Sequence, residues 1–574
     1  MSKVNLTIDG LPVAVEPGTT ILEAAGQLNI RIPTLCYLKE INEIGACRVC
    51  VVEVEGARTL QASCVTPVSE GMIVKTASAA VLSGRRFLVE LILSNHPMEC
   101  PTCVRNLNCE LQTLAGELGI REVRFRGEIT SYPRDDSTPS LIREPNKCIL
   151  CRRCVAVCEK IQGVRAITPQ FRGFNTVIAP AFLSDLNMID CALCGQCALV
   201  CPTSAISERD DTGKVWSALA DPDLHVVVQT APATRVSIGE MFGMEPGSII
   251  TGKMVAALRR LGFDAVFDTD FTADLTIMEE GSELIKRLTE GGKLPMFTSC
   301  SPGWIKFIEH SYPDMLPHLS TCKSPQQMFG ALAKTYYAKK AGIDPSKIFV
   351  VSVMPCTAKK FEAQRPEMND SGYPDVDVVL TSRELGRMLK QASIDFVSLP
   401  EEDYDPPLGI STGAGAIFGA TGGVMEAALR TAYEIITGKT LENIEFKALR
   451  GLEDIKTASV MVGDLEVKVA VSHGLGNARK IVEAVKSGQA DFHFIEVMCC
   501  PGGCIGGGGQ PIPTNKEIRE KRIKGIYRAD ELMTLRKSHE NPAVKVLYEE
   551  FLGKPLGDVS HHLLHTTYTP RNRF

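Results

Sequence analysis

The spacing Cys-x2-Cys-x2-Cys-x3-Cys occurs twice in this chain. It runs through Cys148, Cys151, Cys154 and Cys158, and again through Cys191, Cys194, Cys197 and Cys201, where Pro202 follows. Of the 21 cysteines in 574 residues, most lie at or before Cys201. The start, MSKVNLTIDG, has no basic stretch followed by an apolar one, and nowhere do eighteen apolar residues run together. Secretion and membrane spanning are therefore not expected, and a cytoplasmic location is. In such a chain clustered Cys-x-x-Cys reads as metal ligation and not as disulfides. The net charge of −6 gives no electrostatic case for nucleic acid or an anionic membrane.

Thiolates repeated this densely suit [4Fe–4S] clusters better than structural zinc. In two-cluster ferredoxins the fourth cysteine of each run ligates the other cluster. One cluster is then expected on Cys148, Cys151, Cys154 and Cys201, and the other on Cys191, Cys194, Cys197 and Cys158. This pair of runs is expected as a two-[4Fe–4S] domain over 140–209, after a polar, proline-broken linker at 126–140.

Two further sites precede it. Residues 1–80 open with strand signals and a helix capped by Thr19 or Thr20. They then carry Cys36, Cys47, Cys50 and Cys64. A zinc site usually pairs two short knuckles, and here there is one. The stretch resembles the [2Fe–2S] ferredoxin-like domain at the front of iron hydrogenases and of the large iron–sulfur subunit of respiratory NADH dehydrogenase. Residues 81–125 carry His96, Cys100, Cys103 and Cys109. Read alone, the histidine is either an ordinary core or surface residue or a fourth ligand. The spacing resembles the one-histidine, three-cysteine [4Fe–4S] site of the same two families. The front thus reads as an electron conduit with one [2Fe–2S] and three [4Fe–4S] clusters.

From 210 onward the texture changes. Short apolar runs such as HVVVQTAP and KIFVVSVMPC alternate with helical patterns, the signature of βα units on parallel sheets. Cys300, Cys356, and the pair Cys500 and Cys504 each follow such a run, so distant segments bring thiols toward one crevice. The glycines of IGGGG beside Cys504 are expected to leave room for a bulky inorganic group. The fold expected overall is an α/β catalytic domain with parallel sheets at 210–574, preceded by ferredoxin-like α+β iron–sulfur modules.

TSCSPGW (298–304), MPCTAKKFE (354–362) and EVMCCPGGCIGGGGQP (496–511) resemble the three signature loops of [FeFe]-hydrogenases. TIMEE, SPQQ and GAIFGATGGVMEAALR are similar to that family too, and the tail over about 515–574 resembles its small-subunit-like segment. The resemblance implies an H-cluster, a [4Fe–4S] cubane bridged to a two-iron centre with CO, cyanide and an azadithiolate, and the reaction 2H⁺ + 2e⁻ ⇌ H₂. It implies Cys356, Cys500 and Cys504 as cubane ligands, Cys504 bridging. It implies Lys359 reaching a cyanide, and Pro232, Gln326, Met354, Phe418 and Met498 lining the pocket. Read without it, Lys359 is a surface residue and the methionines are core filler.

The first loop departs from the family. It has Cys300 followed by Ser301 where two adjacent cysteines are usual, the first relaying protons and the second ligating the cubane. Either Cys300 takes the ligand place, or Ser301 does and Cys300 relays; a cubane's demand for thiolates favours Cys300. Cys499 is either a compensation for this change or a small buried hydrophobe. Glu280, Glu283, Arg287 and Ser320 match relay positions. By spacing alone, Glu280, Glu283 and Arg287 are equally a solvated helix face.

Against the enzyme stand a hydrogenase-like H₂ sensor or cluster-assembly protein and a non-catalytic electron-transfer subunit. The front looks most like the catalytic subunit of multimeric NAD(P)-linked hydrogenases. That implies flavin- and NAD-binding partner subunits, ferredoxin in an electron-bifurcating complex, and dedicated H-cluster maturases.

Overall fold

The computed structural model describes residues 3–441, 443–463 and 465–571; the remaining seven positions of the ranges above lie outside the described residues. At the front, β1 (Val4–Ile8), β2 (Leu11–Val15), β3 (Val51–Val54), β4 (Gln61–Ala62) and β5 (Met72–Lys75) form a sheet in the order β2-β1-β5-β3-β4. Helix Ile21–Gln27 starts at Thr20, not Thr19. The Glu23 amide donates to Thr20 Oγ1 at 3.3 Å and the Thr20 amide to Glu23 Oε2 at 3.1 Å. This reciprocal pair satisfies amides that the first helical turn leaves free.

Helices Ala79–Leu93 and Glu110–Glu117 flank the histidine-bearing loop. The stretch expected as a linker is not a free one. Asp135, Thr138 and Ser140 are buried, and Asp135 and Arg143 exchange backbone hydrogen bonds of 2.9 and 2.8 Å. Next, β6 (Leu141–Arg143) pairs with β9 (Ile206–Glu208), and β7 (Thr168–Gln170) with β8 (Val177–Ala179), both antiparallel. The β6–β9 pair ties together the two ends of the cysteine repeat.

The back of the chain holds two four-stranded sheets. In one, β10 (His225–Thr230), β11 (Ala265–Asp268), β13 (Ile348–Met354) and β14 (Val378–Thr381) are all parallel, in the order β11-β10-β13-β14. In the other, β12 (Met296–Phe297), β15 (Ile455–Val462), β16 (Leu465–His473) and β17 (Phe494–Met498) run in the order β12-β17-β16-β15. Only β15 is antiparallel to its neighbour there. The apolar runs are continuous because both faces are covered. Val227 and Val350 pack with Phe267 and Phe329, while Val226, Val228, Val351 and Val353 face the opposite core.

This is the α/β architecture with ferredoxin-like modules in front that the residue pattern predicts. The tail closes over it through helices Lys516–Leu532, Pro542–Leu547 and Asp558–Leu564. Arg522 pairs with Glu240 at 2.7 Å, Asn541 donates to Asp274 at 2.9 Å, and the Tyr548 hydroxyl donates to Glu279 at 2.6 Å.

Candidate active site

Strands β10, β12, β13 and β17 end at one crevice between the two sheets. Past their carboxyl ends lie Ala231 and Pro232, then Cys300 and Ser301, then Pro355 and Cys356, then Cys499 and Cys500, and all line a single cavity. Gln326, Met354, Lys359, Phe418, Met498 and Cys504 line it too. Every cubane-ligand and pocket-lining residue expected from sequence is therefore brought to one place. Backbone amides and side chains at strand ends can converge this way because the strands themselves are fixed by both cores.

The donor set fits an iron–sulfur group. Cys356, Cys500 and Cys504 line the same cavity and bring three thiols to it. Burial holds the Cys504 thiol neutral, pushed up to about 12, so in this apolar wall it ionises only against a metal. Gln326 Oε1 is buried and aims at no partner in the protein. Lys359 Nζ donates to the Cys300 carbonyl at 3.1 Å and to Glu362 Oε2 at 2.8 Å. An ammonium has a third donor, available to a bound anion.

Glu362 also accepts from Gln326 at 3.1 Å and from Ser324 at 2.9 Å. The sequence reading missed it, although its i,i+3 spacing from Lys359 in CTAKKFE was a usable signal. Glu496 was missed as well. Buried completely, it accepts from the Gly422 and Met425 amides at 2.6 and 2.8 Å and anchors the start of helix Gly423–Thr437 behind the cavity.

The glycine run does not open space for the cofactor. A Cβ at Gly507 would sit 2.1 Å from the Pro355 carbonyl oxygen, and one at Gly508 would sit 2.2 Å from the Cys194 carbonyl oxygen. These glycines let the third loop press, backbone to backbone, on the second loop and on the two-run module.

Glu280, Glu283 and Arg287 lie on helix Thr269–Thr289. Glu280 and Glu283 are 2% and 8% exposed, which excludes a solvated face for them. Glu280 lies beside Ser320, Glu283 and Ser299, and burial pushes its carboxyl up to about 8. The Ser320 hydroxyl donates to Glu283 at 3.0 Å, and Arg287 pairs with Glu283 at 2.6 Å. Cys300, at the cavity wall, lies near both Glu280 and Lys359. Ser320, Glu283 and Arg287 thus form one hydrogen-bonded group, with buried Glu280 beside it on the cavity side.

Four accessory sites lie upstream. Cys36, Cys47, Cys50 and Cys64 gather together: the Cys47 amide donates to Cys36 Sγ at 3.5 Å and the Cys50 and Cys64 sulfurs are 3.3 Å apart. His96, Cys100, Cys103 and Cys109 line one cavity, where His96 Nδ1 is buried with no partner. Burial pushes that imidazole down to about 4, so it is a neutral donor. Cys148, Cys151, Cys154 and Cys201 line a third cavity, and Cys158, Cys191, Cys194 and Cys197 a fourth. Each of the crossed sets thus lines a cavity of its own.

Both front sites abut the site of Cys148, Cys151, Cys154 and Cys201. Asn42 donates to the Cys36 carbonyl at 2.7 Å and to the Cys151 carbonyl at 3.0 Å. On the other side the Glu110 amide donates to the Pro202 carbonyl at 3.0 Å. The last accessory site meets the catalytic crevice through Cys194, which packs against the core that holds Cys499 and Cys500.

Comparison with known proteins agrees with this layout. Residues 224–508 match the family model described as iron only hydrogenase large subunit, C-terminal domain, and 516–571 match iron hydrogenase small subunit. Residues 1–79 match a 2Fe-2S iron-sulfur cluster binding domain, 85–124 the NADH-ubiquinone oxidoreductase-G iron-sulfur binding region, and 147–205 a 4Fe-4S dicluster domain. The chain is 55% identical to the NADP-reducing hydrogenase subunit HndD of Solidesulfovibrio fructosivorans, covering 100% of both. It is 43% identical to iron hydrogenase 1 of Clostridium pasteurianum, over 98% of this chain and 99% of that one. Among solved structures, the apo form of a [FeFe]-hydrogenase from Chlamydomonas reinhardtii aligns with a TM-score of 0.58 at 45% identity, covering 63% of this chain and 99% of that one.

Proposed function

The chain belongs to the iron-only, or [FeFe]-, hydrogenases, and from that footing we propose how its own residues divide the work. The observation that carries the assignment is the convergence of Cys356, Cys500, Cys504 and Lys359 at the carboxyl ends of strands from two sheets. When bound, the H-cluster supplies the metal chemistry that interconverts two protons and two electrons with H₂.

Cys356, Cys500 and Cys504, from the second and third loops, would hold the cubane, and Cys504 would be the thiolate that also serves the two-iron centre. Lys359, held by Glu362, would offer its remaining donor to an anionic ligand of the bound group. Met354, Met498, Pro232 and Phe418 keep bulk water away from the reacting centre and set a low dielectric there. The file Cys300, Glu280, Ser320, Glu283 and Arg287 carries protons between the cavity and the surface by short hops between neighbouring groups.

The front modules carry electrons. We assign one [2Fe–2S] cluster to Cys36, Cys47, Cys50 and Cys64, and one [4Fe–4S] cluster to His96, Cys100, Cys103 and Cys109. The crossed cysteine sets hold two more. The contacts of Asn42 and Glu110 make the first crossed site a junction with two inlets, and Cys194 makes the second the outlet to the active site. Two inlets favour a chain served by more than one redox partner.

The relative's name, NADP-reducing hydrogenase subunit, supports a place in a multisubunit complex. We propose flavin- and NAD(P)-binding partner subunits, with ferredoxin as a further electron carrier, in the cytoplasm. Among the described residues no helix is long and apolar enough to cross a membrane.

The test is infrared spectroscopy of protein matured with the H-cluster assembly enzymes, beside H₂ assays with NADH and ferredoxin separately and together. CO and cyanide bands with H₂ turnover are expected. Absent bands in iron-replete, matured protein would leave only the electron-transfer reading. Full activity of the isolated chain with ferredoxin alone would remove the partner subunits.

A further inference from the structure

The first loop lacks a second cysteine, and the third loop has one extra. Ser301 and Cys499, 198 residues apart, are in direct contact: the Cys499 amide donates to Ser301 Oγ at 3.1 Å. That hydrogen bond occupies the hydroxyl as an acceptor. A serine hydroxyl is in any case a hard and weakly acidic ligand for iron in a thiolate set.

Cys499 is placed otherwise. It is buried, lines the same cavity as Cys356, Cys500 and Cys504, and packs in one core with Cys500, against which Cys194 also lies. Gly303 makes space for it, since a Cβ there would come within 2.6 Å of Cys499 Sγ. Its backbone is held from both ends, by Ser301 on the amide and by Gln162 Nε2 on the carbonyl at 3.1 Å. Cys300 lines that cavity too, on the side of Glu280, with its carbonyl held by Lys359 Nζ at 3.1 Å.

We propose that Cys499 supplies the fourth thiolate of the cubane, with Cys356, Cys500 and Cys504, and that Cys300 remains a free thiol at the head of the proton file. The ligand has moved from the first loop to the third, and Ser301 has become the hydroxyl that orients it. Iron binding releases the Cys499 proton, as it does for any ligating thiol. The inference rests on reading this cavity as the H-cluster site, and it displaces Cys300 from the ligand place expected for it.

The test uses the full chain produced without the two-iron maturation enzymes, so that the cubane is present alone. Iron per chain and the electron paramagnetic resonance of the reduced protein are read for Cys499→Ala, Ser301→Ala, Cys300→Ala and the double variant Ser301→Cys/Cys499→Ala. Cys499→Ala is expected to lose the iron of one cubane, about four ions, with its signal, while the accessory-cluster signals persist and report a folded chain. Ser301→Ala and Cys300→Ala keep both. The double variant regains both, because the thiolate returns to the first loop. Retention in Cys499→Ala, loss in Cys300→Ala or Ser301→Ala, or no recovery in the double variant would overturn the proposal. A Cys504→Ala control separates the levels: full iron there refutes the cavity as a cluster site, whatever Cys499 does.

Discussion

A Cβ at Gly508 would sit 2.2 Å from the Cys194 carbonyl oxygen, so the last accessory site and the catalytic crevice meet backbone to backbone. Around that contact the two parts of the chain are packed without slack. A Cβ at Gly195 would sit 2.5 Å from Thr357 Oγ1, and the Thr357 hydroxyl donates to the Leu193 carbonyl at 2.7 Å. Replacing Gly508 by alanine should therefore push the Cys194 loop away from the active-site loops. The expected cost is about 1–3 kcal/mol of stability, as for other overpacked sites. Stopped-flow reduction should also show the accessory clusters passing electrons to the active site more slowly. An unchanged melting temperature and transfer rate would show that the junction can yield.

His96 should be a ligand that tolerates exchange for a thiolate. His96→Cys is expected to keep full iron and lower the potential of one cluster, since imidazole in place of thiolate raises it. His96→Ala is expected to lose that cluster or leave it labile. Redox titration followed by paramagnetic resonance distinguishes these outcomes, and unaltered potentials in both variants would mean that His96 is only a buried histidine.

Glu280→Gln should remove a proton-carrying group while keeping its shape. Turnover should fall by about 10²- to 10⁴-fold, the usual range for losing a positioned acid or base, with the infrared bands unchanged. The pH dependence of stability gives a second reading. Burial raises the Glu280 carboxyl from 4.5 to about 8, so the folded state favours its neutral form. That contribution is fully present below the unfolded value and is lost progressively as pH rises toward about 8. The melting temperature of Glu280→Gln relative to the parent should climb between these limits and then level off. A flat difference across that window would show that Glu280 does not titrate there.

Lys359 and Glu362 form a buried pair, 11% and 6% exposed in their side chains and 2.8 Å apart. Lys359→Met alone strands a carboxylate among Gln326, Ser324 and apolar walls. It should cost about 3–5 kcal/mol, whereas Lys359→Met with Glu362→Gln should cost less because no charge is left unpaired. Thermal melting of the cubane-only protein checks the order. Equal losses in the single and double variants would mean that the pair is already neutralised by solvent.

Much of the chemistry was legible before any fold was known. Ligands that lie within one loop are held by covalent spacing, so Cys148, Cys151 and Cys154, or Cys100, Cys103 and Cys109, announce a cluster from sequence. The alternation of apolar runs and helical patterns gave the α/β class for the same reason, since strand and helix periods are local properties.

Three features could not be read that way. The burial of Glu280 and Glu283 turns on what covers their helix, and spacing describes only which face they share. The glycines after Cys504 look like room for a cofactor, yet they are there because Pro355 and Cys194, from distant segments, press their carbonyls against the loop. The exchange between Ser301 and Cys499 shows in sequence as two unrelated oddities. The sequence by itself determined which atoms are available to bind iron and which of them are neighbours along the backbone. Only the tertiary structure decided which sulfur stands where the cubane must be, because contacts between distant segments are set by core packing and not by chain connectivity.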